Sequence, residues 1–170
     1  MPGLLQTADY ARAVIKAIAP KMAPDITQQR VDARMRRQQL LEEDDPPRYR
    51  VLLDEAVLHR RVGGAAVMAT QLDKALDAQR QAKAIIQVIP FEIGAYAGMD
   101  GYFILLEFEE DSDLSPVVFV EGLSSNKYLE RDADVARYRE TIDYLGNLAL
   151  SPEESVQRIA EVRRIYASES

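Results

Sequence analysis

Between residues 50 and 89 an apolar strand pattern, an amphipathic helix pattern and a second apolar strand pattern follow one another. No other stretch restricts the fold as strongly. Arg50 to Asp54 carries Val51, Leu52 and Leu53 in a row, and Val62, Gly63 and Gly64 turn the chain. Met68, Leu72, Ala75, Leu76 and Gln79 recur at helical spacing, and residues 84–89 form a β-branched run ending at Pro90. Two strands joined through a helix are expected to pair in parallel, with a right-handed crossover.

The flanks complete an α+β pattern. After a glycine-punctuated loop at residues 94–101, residues 103–109 and 117–121 read as an antiparallel hairpin with an acidic loop. Tyr128 and Leu129 add a short edge strand. Before the crossover, Thr7 is placed to cap a helix bearing Ala11, Val14, Ile15 and Ile18, which ends toward Pro20 and Pro24. Asp25 or Thr27 opens a second helix to about Leu41, with Arg30, Arg34 and Arg37 on one face and Arg36 beside them. Residues 42–45, all acidic, and Pro46-Pro47 break it. At the other end, Val135, Tyr138, Ile142, Leu145 and Ala149 repeat at helical spacing. Ser151-Pro152-Glu153-Glu154 is a helix start, leading to a face of Ile159, Val162 and Tyr166. The expected architecture is one domain over residues 1–170, with a mixed sheet of four to five strands and helices at both termini.

Composition narrows the function. The chain of 170 residues has no cysteine, one histidine and a net charge of −7. Without cysteine there is no disulfide framework, thiolate zinc site, iron–sulfur cluster or cysteine nucleophile. One histidine removes every two-histidine metal site, and neither metal nor cofactor is expected. The acidic balance argues against autonomous DNA or RNA binding, which needs a basic footprint. No apolar run approaches the roughly 20 residues of a membrane span. The opening Met-Pro-Gly-Leu-Leu-Gln-Thr lacks the basic and apolar regions of a signal peptide. A cytoplasmic protein is expected.

Each candidate site has a plain structural counterpart. His59, between Leu58 and Arg60-Arg61, would need a serine on a sharp elbow to serve as a catalytic base, and no G-x-S-x-G occurs. A surface histidine is the favoured reading, and a hydrolase the weakest one. Asp54, Glu55, Glu92 and Asp100 offer paired carboxylates for acid–base work or a magnesium site, but strand-end acids capping a turn or pairing with Arg60 or Arg61 explain them better. Gly94, Gly98 and Gly101 lead into a strand rather than a helix, which disfavours a phosphate loop and favours a turn with positive φ. The aromatic content of that segment, with Phe91, Tyr96 and Tyr102, either lines a binding surface or covers the sheet. The arginine face of the second helix reads as solvated and paired with Asp32 and residues 42–45, against a contact with DNA phosphates or an acidic partner. Glu109, Glu110, Asp111 and Asp113 read as acidic surface.

The order of these local patterns adds a further expectation. Pro2-Gly3-Leu4-Leu5-Gln6-Thr7 with Tyr10-Ala11-Arg12-Ala13 resembles the opening of an actinobacterial domain of unknown function. That domain follows an N-terminal helix-turn-helix in WhiJ-like, antitoxin-like transcriptional regulators of Streptomyces and relatives. The resemblance continues through Arg37-Gln38, Leu53-Asp54-Glu55-Ala56-Val57-Leu58, Val62-Gly63-Gly64 and Val88-Ile89-Pro90-Phe91. It ends with Val118-Phe119-Val120-Glu121 and Leu148-Ala149-Leu150-Ser151-Pro152-Glu153-Glu154-Ser155. It implies a non-enzymatic regulatory domain that binds a small partner protein encoded nearby, with no catalytic residues to carry over.

The family's helix-turn-helix is absent from this sequence, so DNA is expected to be contacted only through such a module. Arg60, Arg61, Phe91, Tyr96 and Tyr102 are the expected contact residues. A small-molecule sensor with an apolar pocket between sheet and helices is the alternative. A homodimer is a further expectation, because many such regulators pair to match two half-sites.

Overall fold

The computed structural model describes residues 1–99, 101–109, 112–122 and 125–169. In chain order the elements are α1 (Ala8–Ile18), α2 (Pro24–Arg37), β1 (Arg50–Asp54), α3 (Ala56–His59), α4 (Ala65–Arg80) and β2 (Ile85–Ile89). They continue with β3 (Phe103–Leu106), β4 (Val117–Val120), β5 (Lys127–Leu129), α5 (Asp132–Leu148) and α6 (Pro152–Ser168). The class is α+β, with helices at both termini. The chain divides into two compact units, Met1–Phe91 with Leu150–Ser170, and Glu92–Ala149.

The first unit is built on the crossover. β1 and β2 pair in parallel, in register from Arg50 opposite Ile85 to Asp54 opposite Ile89. Val51, Leu53, Ile86 and Val88 are buried with Met68, Leu72 and Ala75 of α4 and Ile159, Val162 and Tyr166 of α6. Helix α6 opens on the expected capping box: the Ser151 hydroxyl accepts from the Glu154 amide, and the Glu154 carboxylate accepts from the Ser151 amide. The Arg163 guanidinium joins α6 to α4 by donating twice to the Asp73 carboxylate, at 2.8 Å each.

The sequence predicts one mixed sheet, whereas the strands form a two-stranded parallel sheet, β1–β2, and a three-stranded antiparallel one, β3–β4–β5. The outer edge of β2 is closed to a third strand. Ile85 N donates to Tyr49 O and Glu55 N to Ile89 O, so alternation turns Ile86 and Val88 away from β1. The Gln79 side-chain carbonyl accepts from Ile86 N at 2.6 Å, and the Ser155 hydroxyl accepts from Val88 N at 2.9 Å. Leu150 N donates to Val88 O at 2.8 Å. Groups from α4, α6 and the lead-in to α6 thus occupy the positions a third strand would need.

The N-terminal segment is clamped to α4. Gln71 is fully buried; it donates to Leu5 O at 2.6 Å and accepts from Thr7 N at 2.8 Å. Lys74 reaches Gln6 O at 3.0 Å, and the Gln38 amide reaches Gly3 O and Gln6 O at 2.8 Å each. Thr7 caps α1 as expected, its hydroxyl accepting from Tyr10 N at 3.3 Å.

Two expectations for α2 are corrected. The helix starts at Pro24, and the Thr27 hydroxyl bonds back to Ala23 O, so neither Asp25 nor Thr27 precedes it as a cap. Asp32 and Glu42, two of the acids expected to pair with the arginine face, are engaged by other residues. Arg34 donates to Gln6 Oε1 at 2.6 Å, Asp32 accepts from Gln28, and Glu42 holds Lys83. The docked N-terminal segment accounts for the difference, because it draws Arg34 inward.

The second unit is the antiparallel sheet with α5. Phe103 pairs with Val120 and Leu106 with Val117, while Val118 pairs with Leu129 and Val120 with Lys127. Alternation puts Phe103, Leu105, Val118, Val120 and Leu129 on one face, and Ile104, Leu106, Val117, Phe119 and Tyr128 on the other. Helix α5 covers the first face: Val118 is fully buried, and the Phe103 and Tyr138 rings meet edge-on at 4.7 Å.

Candidate functional site

In the first unit, chemistry-bearing side chains gather at the carboxyl ends of both parallel strands, where crossover folds place their ligand sites. Asp54 closes β1, and its carboxylate accepts from Ala56 N at 2.7 Å, which caps the turn into α3 as expected. The next residue, Glu55, is buried, its side chain only 5% exposed. It accepts from Phe91 N at 2.8 Å and from Arg158 Nη1 at 2.5 Å, and His59 Nε2 lies 3.5 Å away.

The expectation that Glu55 pairs with Arg60 or Arg61 is therefore corrected. Arg158 takes that place because it projects from packed α6, whereas Arg60 and Arg61 follow α3 into an exposed turn. Arg61 instead meets Glu169 within 2.6 Å and lies over the Tyr166 ring at 5.7 Å from its centre. The Tyr166 hydroxyl donates to His59 O at 2.9 Å, tying the turn to α6. His59 is exposed on one side and faces the Phe91 ring at 5.5 Å.

Burial pushes the Glu55 carboxyl up, but the Phe91 amide, the Arg158 guanidinium and His59 outweigh it, and the net position is below the ordinary glutamate value. The unfolded chain therefore holds that proton to higher pH than the folded one. The stabilisation is complete above the ordinary value of 4.5 and is lost as pH falls through the lower folded-state value. Urea midpoints should drop as pH falls from 4.5 toward that value, and the Glu55→Gln variant should drop less steeply. Equal slopes would contradict the assignment.

In the second unit, Tyr96 is half-buried and Tyr102 exposed. Tyr102, Phe103 and Tyr138 line an open cavity of about 430 Å³ with Asp134, Arg137 and Thr141. Gly94 and Gly98 have φ of +69° and +95°, and the loop leads into β3, so these glycines serve a turn. Glu92 is exposed, whereas Asp100, Glu110 and Asp111 lie outside the described residues. The expected contact residues fall into both units: Arg60, Arg61 and Phe91 in the first, Tyr96 and Tyr102 in the second.

Sequence reasoning missed the open face of the antiparallel sheet. Leu106 is 44% and Tyr128 66% exposed, beside half-buried Ile104, Val117 and Phe119. The signal was present: β3 and β4 are apolar at all their positions, a pattern of strands covered on both faces, and α5 covers only one. Charge is divided just as unevenly. Residues 92–149 contain thirteen acidic and four basic side chains, and the rest of the chain fifteen and seventeen, so the whole acidic excess lies in the second unit.

Among the described residues, no helix is long and apolar enough to cross a membrane, and no group of three or more histidine or acidic side chains is placed to hold a metal ion. Neither the curated proteins nor the solved structures contain a match to the chain. A family model described as a domain of unknown function (DUF5753) matches residues 1–161, and the chain belongs to that family.

Proposed function

We propose that this chain is a non-enzymatic, partner-binding domain of a cytoplasmic helix-turn-helix transcriptional regulator, and that its partner is a small protein encoded nearby. The observation that carries the reading is the uncovered apolar face of β3–β4–β5, with Leu106 and Tyr128 at its most exposed points. Water-facing apolar surface gathered on one sheet is a mark of a protein interface. The ordered resemblance along the chain supports the regulatory setting. Partner binding would bias an attached DNA-reading module through different affinities for its two states. The resemblance carries no catalytic residues, and Glu55, the carboxylate beside His59, is already engaged by the Phe91 amide and Arg158.

The test is titration of the small protein from the neighbouring gene onto this chain by calorimetry. A complex with Kd of about 10 μM or tighter is expected, weakened at least about tenfold by Leu106→Lys with Tyr128→Lys. Both positions are exposed, so the variant should keep its thermal midpoint. No complex at about 100 μM would sink the proposal.

The alternative, a small-molecule sensor, has only the open cavity beside Tyr102 and Tyr138, which exposes more polar than apolar surface. Native mass spectrometry showing a retained metabolite, lost on Tyr102→Ala, would support it over the first.

A further inference from the structure

We infer that the free edge of β3, with the open face beside it, takes a basic strand of the partner protein, added to the sheet alongside Phe103–Leu106. This rests on the partner-binding reading and names the mode and chemistry of the contact.

The edge itself is the first ground. The order β3–β4–β5 leaves Phe103–Leu106 paired on one side only. Exposed strand edges template pairing with other chains, and proteins blunt them with charge, proline, shortness or a cover. On β2 and β5 this chain does so. The edge of β2 is filled by Gln79, Ser155 and Leu150, and β5 is three residues long and carries Lys127. The sequence of β3 is Phe-Ile-Leu-Leu, with neither charge nor proline. Among the described residues, neither a side chain nor a loop amide bonds to its outer side. An added strand would gain main-chain hydrogen bonds there and lay alternate side chains next to Ile104 and Leu106 on the open face.

Charge selects the occupant. The connection after β3 carries acids at 107, 109, 110, 111 and 113, and Glu121 follows β4. Glu107 is held by Arg139, while Glu109, Asp113 and Glu121 are exposed. A strand bearing lysine or arginine meets this rim favourably. A second copy of this chain would bring the same acidic excess against itself, and a nucleic acid or anionic membrane would be repelled.

The experiment uses the full chain and, as probe, a blocked eight-residue peptide alternating lysine or arginine with valine or isoleucine. Binding should slow hydrogen exchange at the amides of residues 103–106 and weaken as salt rises. It should also weaken at least about tenfold in Glu109→Lys/Asp113→Lys, and likewise when glutamate replaces the peptide's cations. Equal binding of the acidic peptide, protection elsewhere but not at 103–106, or no binding at about millimolar peptide would overturn the inference. So would a dimer in light scattering that Leu106→Lys dissolves, since the occupant would then be a second copy. If the neighbouring small protein binds while the 103–106 amides stay unprotected, strand addition falls and the partner-binding reading stands. If that protein does not bind either, both fall.

Discussion

Arg158→Ala should lower the stability of the first unit by about 3 kcal/mol, a fall in thermal midpoint of roughly 6–12 °C. Glu55 stays buried in the variant, its carboxylate left with the Phe91 amide and His59. Removing one partner of a buried ion pair costs about 3–5 kcal/mol, chiefly because the remaining charge is stranded in low dielectric. Arg158 is 29% exposed, so water replaces part of its contribution and the lower end applies. The double variant Arg158→Ala/Glu55→Gln should recover part of the loss, since no charge is then stranded. Urea unfolding of the three proteins at pH 7 gives the comparison. A loss below about 1 kcal/mol in Arg158→Ala would put this contact with ordinary surface pairs.

What the sequence made legible was local. The crossover, the Thr7 cap and the Ser151 capping box each declare themselves within a few residues, through periodicity or a cap whose partner is three positions away. What it concealed depends on which distant group reaches a given atom. Gln79 and Ser155 look like ordinary helix residues, yet they close the outer edge of β2 to a further strand because their oxygens meet its amides. Glu55 had two arginines nearby in sequence, and a third on a packed helix won. The second unit shows a different limit. Its β3 and β4 are apolar at every position, and only the elements packed on them reveal that, among the described residues, one face has no cover of its own. The contact residues chosen from sequence were prominent aromatics and arginines, whereas the open face is built largely from aliphatic positions that pass for core.

Gln71→Ala should cost about 2–4 kcal/mol, and the loss should be local before it is global. Gln71 is fully buried, and its side chain satisfies two main-chain groups of the N-terminal segment, Leu5 O and Thr7 N. Alanine leaves both unsatisfied and opens a void, and each buried orphan group costs about 1–3 kcal/mol. Gln71→Leu fills the void but satisfies neither group, so it should recover only the packing part. Lys74 and Gln38 still hold the carbonyls of Gly3 and Gln6, so the segment should loosen over α4 rather than leave it. Hydrogen exchange should therefore quicken at residues 5–10 under conditions where β1 and β2 stay protected. Unchanged protection there, or a loss below about 0.5 kcal/mol, would show that the clamp does not depend on Gln71. The wider consequence concerns the opening motif, the first of the ordered pieces that carry the resemblance. If its backbone is what Gln71 grips, Gly3-Leu4-Leu5-Gln6-Thr7 marks how this fold is closed, and the contact we propose falls elsewhere, on the open face of β3–β4–β5.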